Sequence, residues 1–114
     1  MTRAAHRPRR STVSNFPAQP LSPLDGRYQA AVSALGDFLS EAGLNRARVE
    51  VEVEWLITLT DRGLFGQSPL TDAEKDSLRA LYRDFGQAEI DWLAEREAVT
   101  RHDVKAVEYL VRDR

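Results

Sequence analysis

The sequence predicts an all-α chain. From Tyr28 onward, apolar residues recur at spacings of three and four, which is the signature of helices with one buried face. Helix-start signals precede two of these periodic segments, and glycine and proline gather between segments rather than inside them. The 114 residues suffice for one domain, burying roughly two-thirds of the surface that the unfolded chain exposes.

Residues 1–20 come first and differ in kind. They carry Arg3, Arg7, Arg9 and Arg10, no acid, and prolines at Pro8, Pro17 and Pro20. The expected state is a disordered basic leader, too polar to pack. Its Arg- and Ser-containing, acid-free composition also has the look of a mitochondrial transit peptide, and a start of translation near Val13 is a third reading. Residues 21–114 are expected to form the helical domain.

In the first helical stretch Ala31, Leu35, Phe38, Leu39 and Ala42 share one face, with Gly43 placed to end it. The next stretch, RVEVEVEW at residues 48–55, alternates as a half-buried strand would. Helix is nonetheless expected. Arg46 with Glu50 and Arg48 with Glu52 are i, i+4 pairs, and Val49, Val53, Leu56 and Ile57 make a helical stripe that continues past the alternation. A strand from Arg46 to Thr60 would also be far longer than the usual five or six residues.

A glycine- and proline-bearing loop, Gly63 to Leu70, leads to Thr71 and Glu74, which have the spacing of a capping box. Leu78, Leu81, Phe85, Ala88 and Trp92 then step by three and four, a bundle seam running on toward Leu93. Both tryptophans, Trp55 and Trp92, are expected to anchor the core. In the last segment Thr100 and Asp103 repeat the capping pattern, and Val104, Val107 and Val111 with Leu110 supply the buried face. No glycine or proline stops this helix, so a longer protein is expected.

Composition excludes several functions. There is no cysteine, hence no disulfide, thiolate nucleophile or sulfur-ligated zinc, and a reducing, cytoplasmic location is the expectation. Four of the 16 basic residues lie in the leader, so the remainder sets twelve against 18 acids. An acidic body argues against nucleic-acid binding, and no apolar run approaches the roughly 20 residues of a membrane span. No glycine-rich phosphate loop, metal-ligand cluster or serine-histidine-acid order is present.

Two short stretches could carry chemistry. Arg101, His102 and Asp103 fall where a helix begins, and there the unpaired amides and the dipole favour an anion. Spacing alone favours a solvent-facing histidine beside a capping aspartate. In LSPLDGRY, residues 21–28, a turn at Asp25 and Gly26 throws Arg27 and Tyr28 forward, and an arginine fork beside a phenol suits phosphate. Taken by itself this is a turn before a helix.

Together, SPLDGRY, RVEVEVEWL and T-x-HDVKAVEYL resemble, in order and rough spacing, the N-terminal region of the adenylosuccinate lyases of the aspartase and fumarase superfamily. The resemblance runs from about Leu21 to the C-terminus. It implies a helical N-terminal lyase domain without the superfamily's central long-helix bundle, a homotetrameric complete enzyme and no metal or organic cofactor. It further implies elimination of fumarate from adenylosuccinate, giving AMP, and from the succinylated imidazole carboxamide ribotide. By motif match Arg27 and Tyr28 would hold the nucleotide phosphate, and His102 and Asp103 would line the nucleotide site. Arg101 stands where similar proteins often have asparagine. The catalytic serine base and histidine acid of such enzymes lie downstream of the matched region, so no catalytic residue is expected in these 114. The alternative is a non-catalytic helical module that binds a partner through its apolar seams.

Overall fold

The computed structural model describes residues 18–114; the leader expectation falls on residues 1–20 and so lies almost wholly outside them. The described residues divide into two compact units, one ending at Ser33 and one of residues 34–114. In the described part of the first unit, a single carboxylate organises the chain. Asp25 accepts from the backbone amides of Leu21 at 2.9 Å and Ser22 at 2.6 Å, and from the Ser22 hydroxyl at 3.0 Å. Those amides, Ser22 first, hold the carboxyl below its ordinary value. The Pro23 carbonyl accepts from Tyr28 N–H at 2.8 Å, and a single helical turn, α1 (Gln29–Val32), follows.

The second unit is built on five helical segments: α2 (Gly36–Leu39), α3 (Glu41–Asp61), α4 (Asp72–Arg83), α5 (Gln87–Thr100) and α6 (Asp103–Asp113). The described residues are helical throughout their regular structure, with no strand among them. RVEVEVEW lies in the middle of α3. Packing decides the matter: Val49, Val53 and Ile57 turn one face of α3 into the core against Leu93 of α5 and Ala106, Val107 and Leu110 of α6. Leu78, Leu81 and Tyr82 of α4 pack partly buried against the same cluster. Each fully buried valine contributes about 1.5–3 kcal/mol relative to exposure.

The ion pairs expected along α3 do not form. Arg46 donates to the Asp37 carbonyl at 2.9 Å, and Arg48 reaches Asn45 and Asp103 instead. The expected first helix is also broken. A 3₁₀ turn (Ser33–Leu35) precedes α2, Ser40 is extended at φ −77°, ψ 163°, and Gly43 lies inside the first turn of α3 rather than at a helix end. Its amide donates to Ser40 Oγ at 3.0 Å. The expected apolar face there is open, with Phe38 75% and Leu39 79% exposed.

The Thr71–Glu74 capping box forms as expected. Thr71 N–H donates to Glu74 Oε2 at 2.8 Å, and Glu74 N–H donates to Thr71 Oγ1 at 3.3 Å. The seam from Leu78 to Trp92 is divided between α4 and α5. At the break, Gly86 adopts an extended backbone and its amide donates to Glu89 at 2.9 Å, starting a new helix. Leu78, Leu81, Phe85 and Trp92 of the seam are partly buried against the core, but Ala88, also expected there, is exposed, because the break at Gly86 turns the first residues of α5 outward. Trp55 departs from the expectation: it is 57% exposed.

A charged clamp ties α3 to α4. Arg79 grips Glu54 with two bonds, 2.7 and 2.9 Å, and the Tyr82 hydroxyl donates to the same carboxylate at 2.9 Å. Lys75 and Asp61 add a second tie at 2.7 Å. No helix among the described residues is long and apolar enough to cross a membrane.

Candidate functional site

The site begins at the joint between α5 and α6, which takes only two residues to turn the chain. Arg101 closes α5 in the left-handed conformation, φ 52° and ψ 33°, and its N–H donates to the Glu97 carbonyl at 2.7 Å. That backbone crowds the Cβ of an L-residue such as arginine at a cost of about 1–2 kcal/mol and suits asparagine better. His102 follows in extended backbone, φ −150° and ψ 111°, and starts α6.

His102, not Thr100, is the N-cap. Its Nδ1 accepts from the Lys105 backbone amide at 3.2 Å, which requires a lone pair on Nδ1 and leaves the proton on Nε2. Thr100 is the last residue of α5; its hydroxyl accepts from His102 N–H at 3.3 Å and donates to the His102 carbonyl at 3.2 Å. The Thr100–Asp103 capping pair is therefore replaced by a threonine that braces the turn and a histidine that caps. The His102 side chain is 64% exposed, so Nε2–H is open to a ligand.

Asp103 is the first residue of α6, and its Oδ2 lies 2.9 Å from Arg48 Nη1 of α3. The backbone amide of Val104 and then Arg48 hold its carboxyl below the ordinary value. Oδ1 is 3.8 Å from His102 Nδ1, too far for a hydrogen bond, while Nδ1 accepts from Lys105. Val104 is 47% exposed, against expectation, because the cap at His102 sets the register so that Ala106, Val107 and Leu110 face inward.

Arg27 and Tyr28 lie in the other unit, both exposed, with the Arg27 guanidinium 5.6 Å from the Tyr28 ring centre. Within each unit the candidates are thus brought together: Arg27 with Tyr28, and Arg101 with His102 and Asp103. Reasoning from sequence missed Arg48 and Asn45. The motif HDV pointed to a helix start, but nothing in RVEVEVEW marked Arg48 as its partner, since Glu52 four residues on was an equally good one. Among the described residues no three histidine, cysteine, aspartate or glutamate side chains are grouped to hold a metal ion.

A groove of about 480 Å³ runs between α3 and α6, lined by Leu44, Ala47, Val51, Val104 and Val107 and by the charged Arg48, Glu52 and Glu108.

No protein-family model matches the sequence. Curated relatives do. Over 95 residues, 82% of the chain, it is 40% identical to the adenylosuccinate lyase of Haemophilus influenzae and 39% identical to that of Escherichia coli. Over 111 residues, 91% of the chain, it is 35% identical to the adenylosuccinate lyase of Dictyostelium discoideum. By sequence, the chain belongs with the adenylosuccinate lyases. It spans 21–23% of the length of these relatives, in keeping with the N-terminal part of such an enzyme.

Proposed function

We propose that residues 21–114 supply the nucleotide-holding part of an adenylosuccinate lyase. The complete enzyme, a cytoplasmic homotetramer, would release fumarate from adenylosuccinate and from the succinylated imidazole carboxamide ribotide. The reaction is a β-elimination: a base takes a proton from the succinyl carbon, the carbanion expels the nitrogen as the C–N bond breaks, and an acid protonates that nitrogen. The base and acid are assigned outside this chain, and no cofactor is required. Alone, the 114 residues are therefore expected to be inactive.

Arg27 and Tyr28 are assigned to the phosphate, as fork and phenol, both exposed on their turn. His102 and Asp103 are assigned to the nucleotide itself, with Arg101 contributing at least its backbone. The observation that carries this reading is the identity of 40% across 82% of the chain, read together with an imidazole whose Nε2–H is left free for an oxygen acceptor.

A chimera tests it. Residues 21–114 replace the corresponding segment of the Escherichia coli lyase, and fumarate release from adenylosuccinate is followed. Turnover is expected, with Arg27→Ala raising KM more than it lowers kcat. A folded tetrameric chimera without turnover, or an Arg27→Ala effect confined to kcat, contradicts the assignment.

A further inference from the structure

Arg48 stands at the crossing of α3 and α6, and its Nη1 serves two acceptors. The side-chain oxygen of Asn45, one turn earlier on α3, lies at 3.0 Å, and Oδ2 of Asp103 at 2.9 Å. Asn45 aims the guanidinium, and the guanidinium takes hold of the first residue of α6. We infer that Arg48 is the positioning residue of the His102 site, selecting through Asp103 which imidazole nitrogen carries the proton. The inference rests on the nucleotide reading for the identity of the ligand, and on geometry for the selection itself.

A carboxylate beside an imidazole ordinarily accepts the nearer ring N–H and fixes the tautomer accordingly. Asp103 adjoins His102, so its default would be to take a proton-bearing Nδ1. That outcome is suppressed here: Oδ2 is committed to Arg48, and Oδ1 is left 3.8 Å from Nδ1. Nδ1 turns to the Lys105 amide instead, at 3.2 Å. The proton resides on Nε2, and the site presents a donor, suited to a phosphate or carboxylate oxygen, where it would otherwise present an acceptor.

Further along, α5 and α6 are held by packing of Leu93 with Ala106, Val107 and Leu110, but few side-chain bonds hold the joint itself. Arg101 and His102 alone connect α5 to α6, and the Thr100 hydroxyl bonds only to His102 backbone atoms. Among the described residues, Arg48 is the side chain from another helix that pairs with the start of α6. The same guanidinium thus sets both the orientation of the turn and the tautomer displayed on it.

Long-range proton–nitrogen spectra of the 114-residue chain, recorded above the ordinary range of imidazole titration, read the tautomer directly. Wild type should show an unprotonated Nδ1 and a protonated Nε2. In Arg48→Ala the released carboxylate competes for His102, so the Nδ1–H form grows and the Lys105 amide exchanges about fivefold faster, the loss expected of a weakened cap. Adding Asp103→Asn to Arg48→Ala removes the competitor and should return the Nε2–H form, a rescue that a merely structural role would not give. Arg79→Ala, which opens the clamp between α3 and α4, should leave the tautomer alone. An unchanged tautomer and unchanged Lys105 exchange in Arg48→Ala overturn the inference, as does a change that persists in the double variant. If Arg48→Ala does not fold, Arg48→Lys decides in the same way, since it keeps the charge and loses the shared geometry. The chimeric lyase reads the nucleotide assignment separately: a dead chimera with a responsive tautomer sinks that assignment and leaves the role of Arg48, while an unresponsive tautomer sinks Arg48 whatever the chimera does.

Discussion

A histidine as N-cap is the residue-scale fact that sequence did not disclose. The pair His102–Asp103 was correctly legible as a helix start, but Thr100 and Asp103 had the spacing of a familiar capping motif and His102 did not. Local geometry decided otherwise, because Arg101 goes left-handed and places the imidazole, not the threonine, over the free amides of α6. Capping and chemistry are therefore carried by one side chain, and two substitutions separate them. His102→Ala should destabilise α6 by about 1 kcal/mol, whereas His102→Asn, which caps well, should change stability little. In the chimeric lyase both should lose turnover alike; if His102→Asn keeps it, the imidazole has no chemical part. Glu54 offers a test of a different kind. Its carboxyl is drawn down from 4.5 to about 2, by Arg79 first and then Tyr82. A depressed carboxyl contributes its stability in full above about 4.5 and loses it as pH falls toward 2. Thermal midpoints should decline across that window, and less steeply in Arg79→Met, where Glu54 returns toward its ordinary value. Parallel curves for the two proteins would show that the clamp does not couple to folding.

At the scale of the element, α3 explains why its sequence looked like a strand. Residues two apart on a helix differ by about 200°, so an alternating run lays down two apolar stripes on nearly opposite faces. Val49, Val53 and Ile57 form the inner stripe, and Val51 with Trp55 the outer one, 65% and 57% exposed. Helix was legible from the inner stripe and its length, although the ion pairs cited in its favour are absent. Where the chain kinks was less legible, because the kinks at Ser40 and Gly86 depend on contacts between elements. Gly43 shows this most clearly. A Cβ there would stand 2.5 Å from the Asp37 carbonyl oxygen and 2.8 Å from its carbon, backbone atoms that cannot rotate aside. The glycine permits α3 to press onto the end of α2, which is why it sits inside a helix turn despite its poor helix propensity. Gly43→Ala should cost about 1–3 kcal/mol by overpacking, read as a lowered urea midpoint with unchanged slope. A variant as stable as wild type would mean that α2 yields freely and that the contact does not hold it.

For the whole molecule, the outer stripe of α3 poses the question of what covers it. Leu44, Val51 and Trp55 fall at i, i+7 and i+11 on one side of α3, and the groove toward Val104 continues the same apolar surface. The core beneath is modest, seven buried apolar residues among those described, and the stripe adds Leu44, Val51 and Trp55 to the large apolar side chains left exposed. A relative about four times as long has further chain with which to cover such a face, and a sequence pattern apolar on two sides is what a helix sandwiched in a larger assembly requires. The isolated chain should then associate through this stripe as concentration rises, burying it between copies for want of anything better. Replacing Val51 and Trp55 by glutamate should abolish that association in sedimentation velocity. Because both side chains are exposed, the thermal midpoint of the double variant at low concentration should move by no more than the equivalent of about 0.5 kcal/mol per site. If the wild-type chain stays monomeric at high concentration, or the double variant unfolds, the outer stripe belongs to the fold of these residues themselves and not to a missing neighbour.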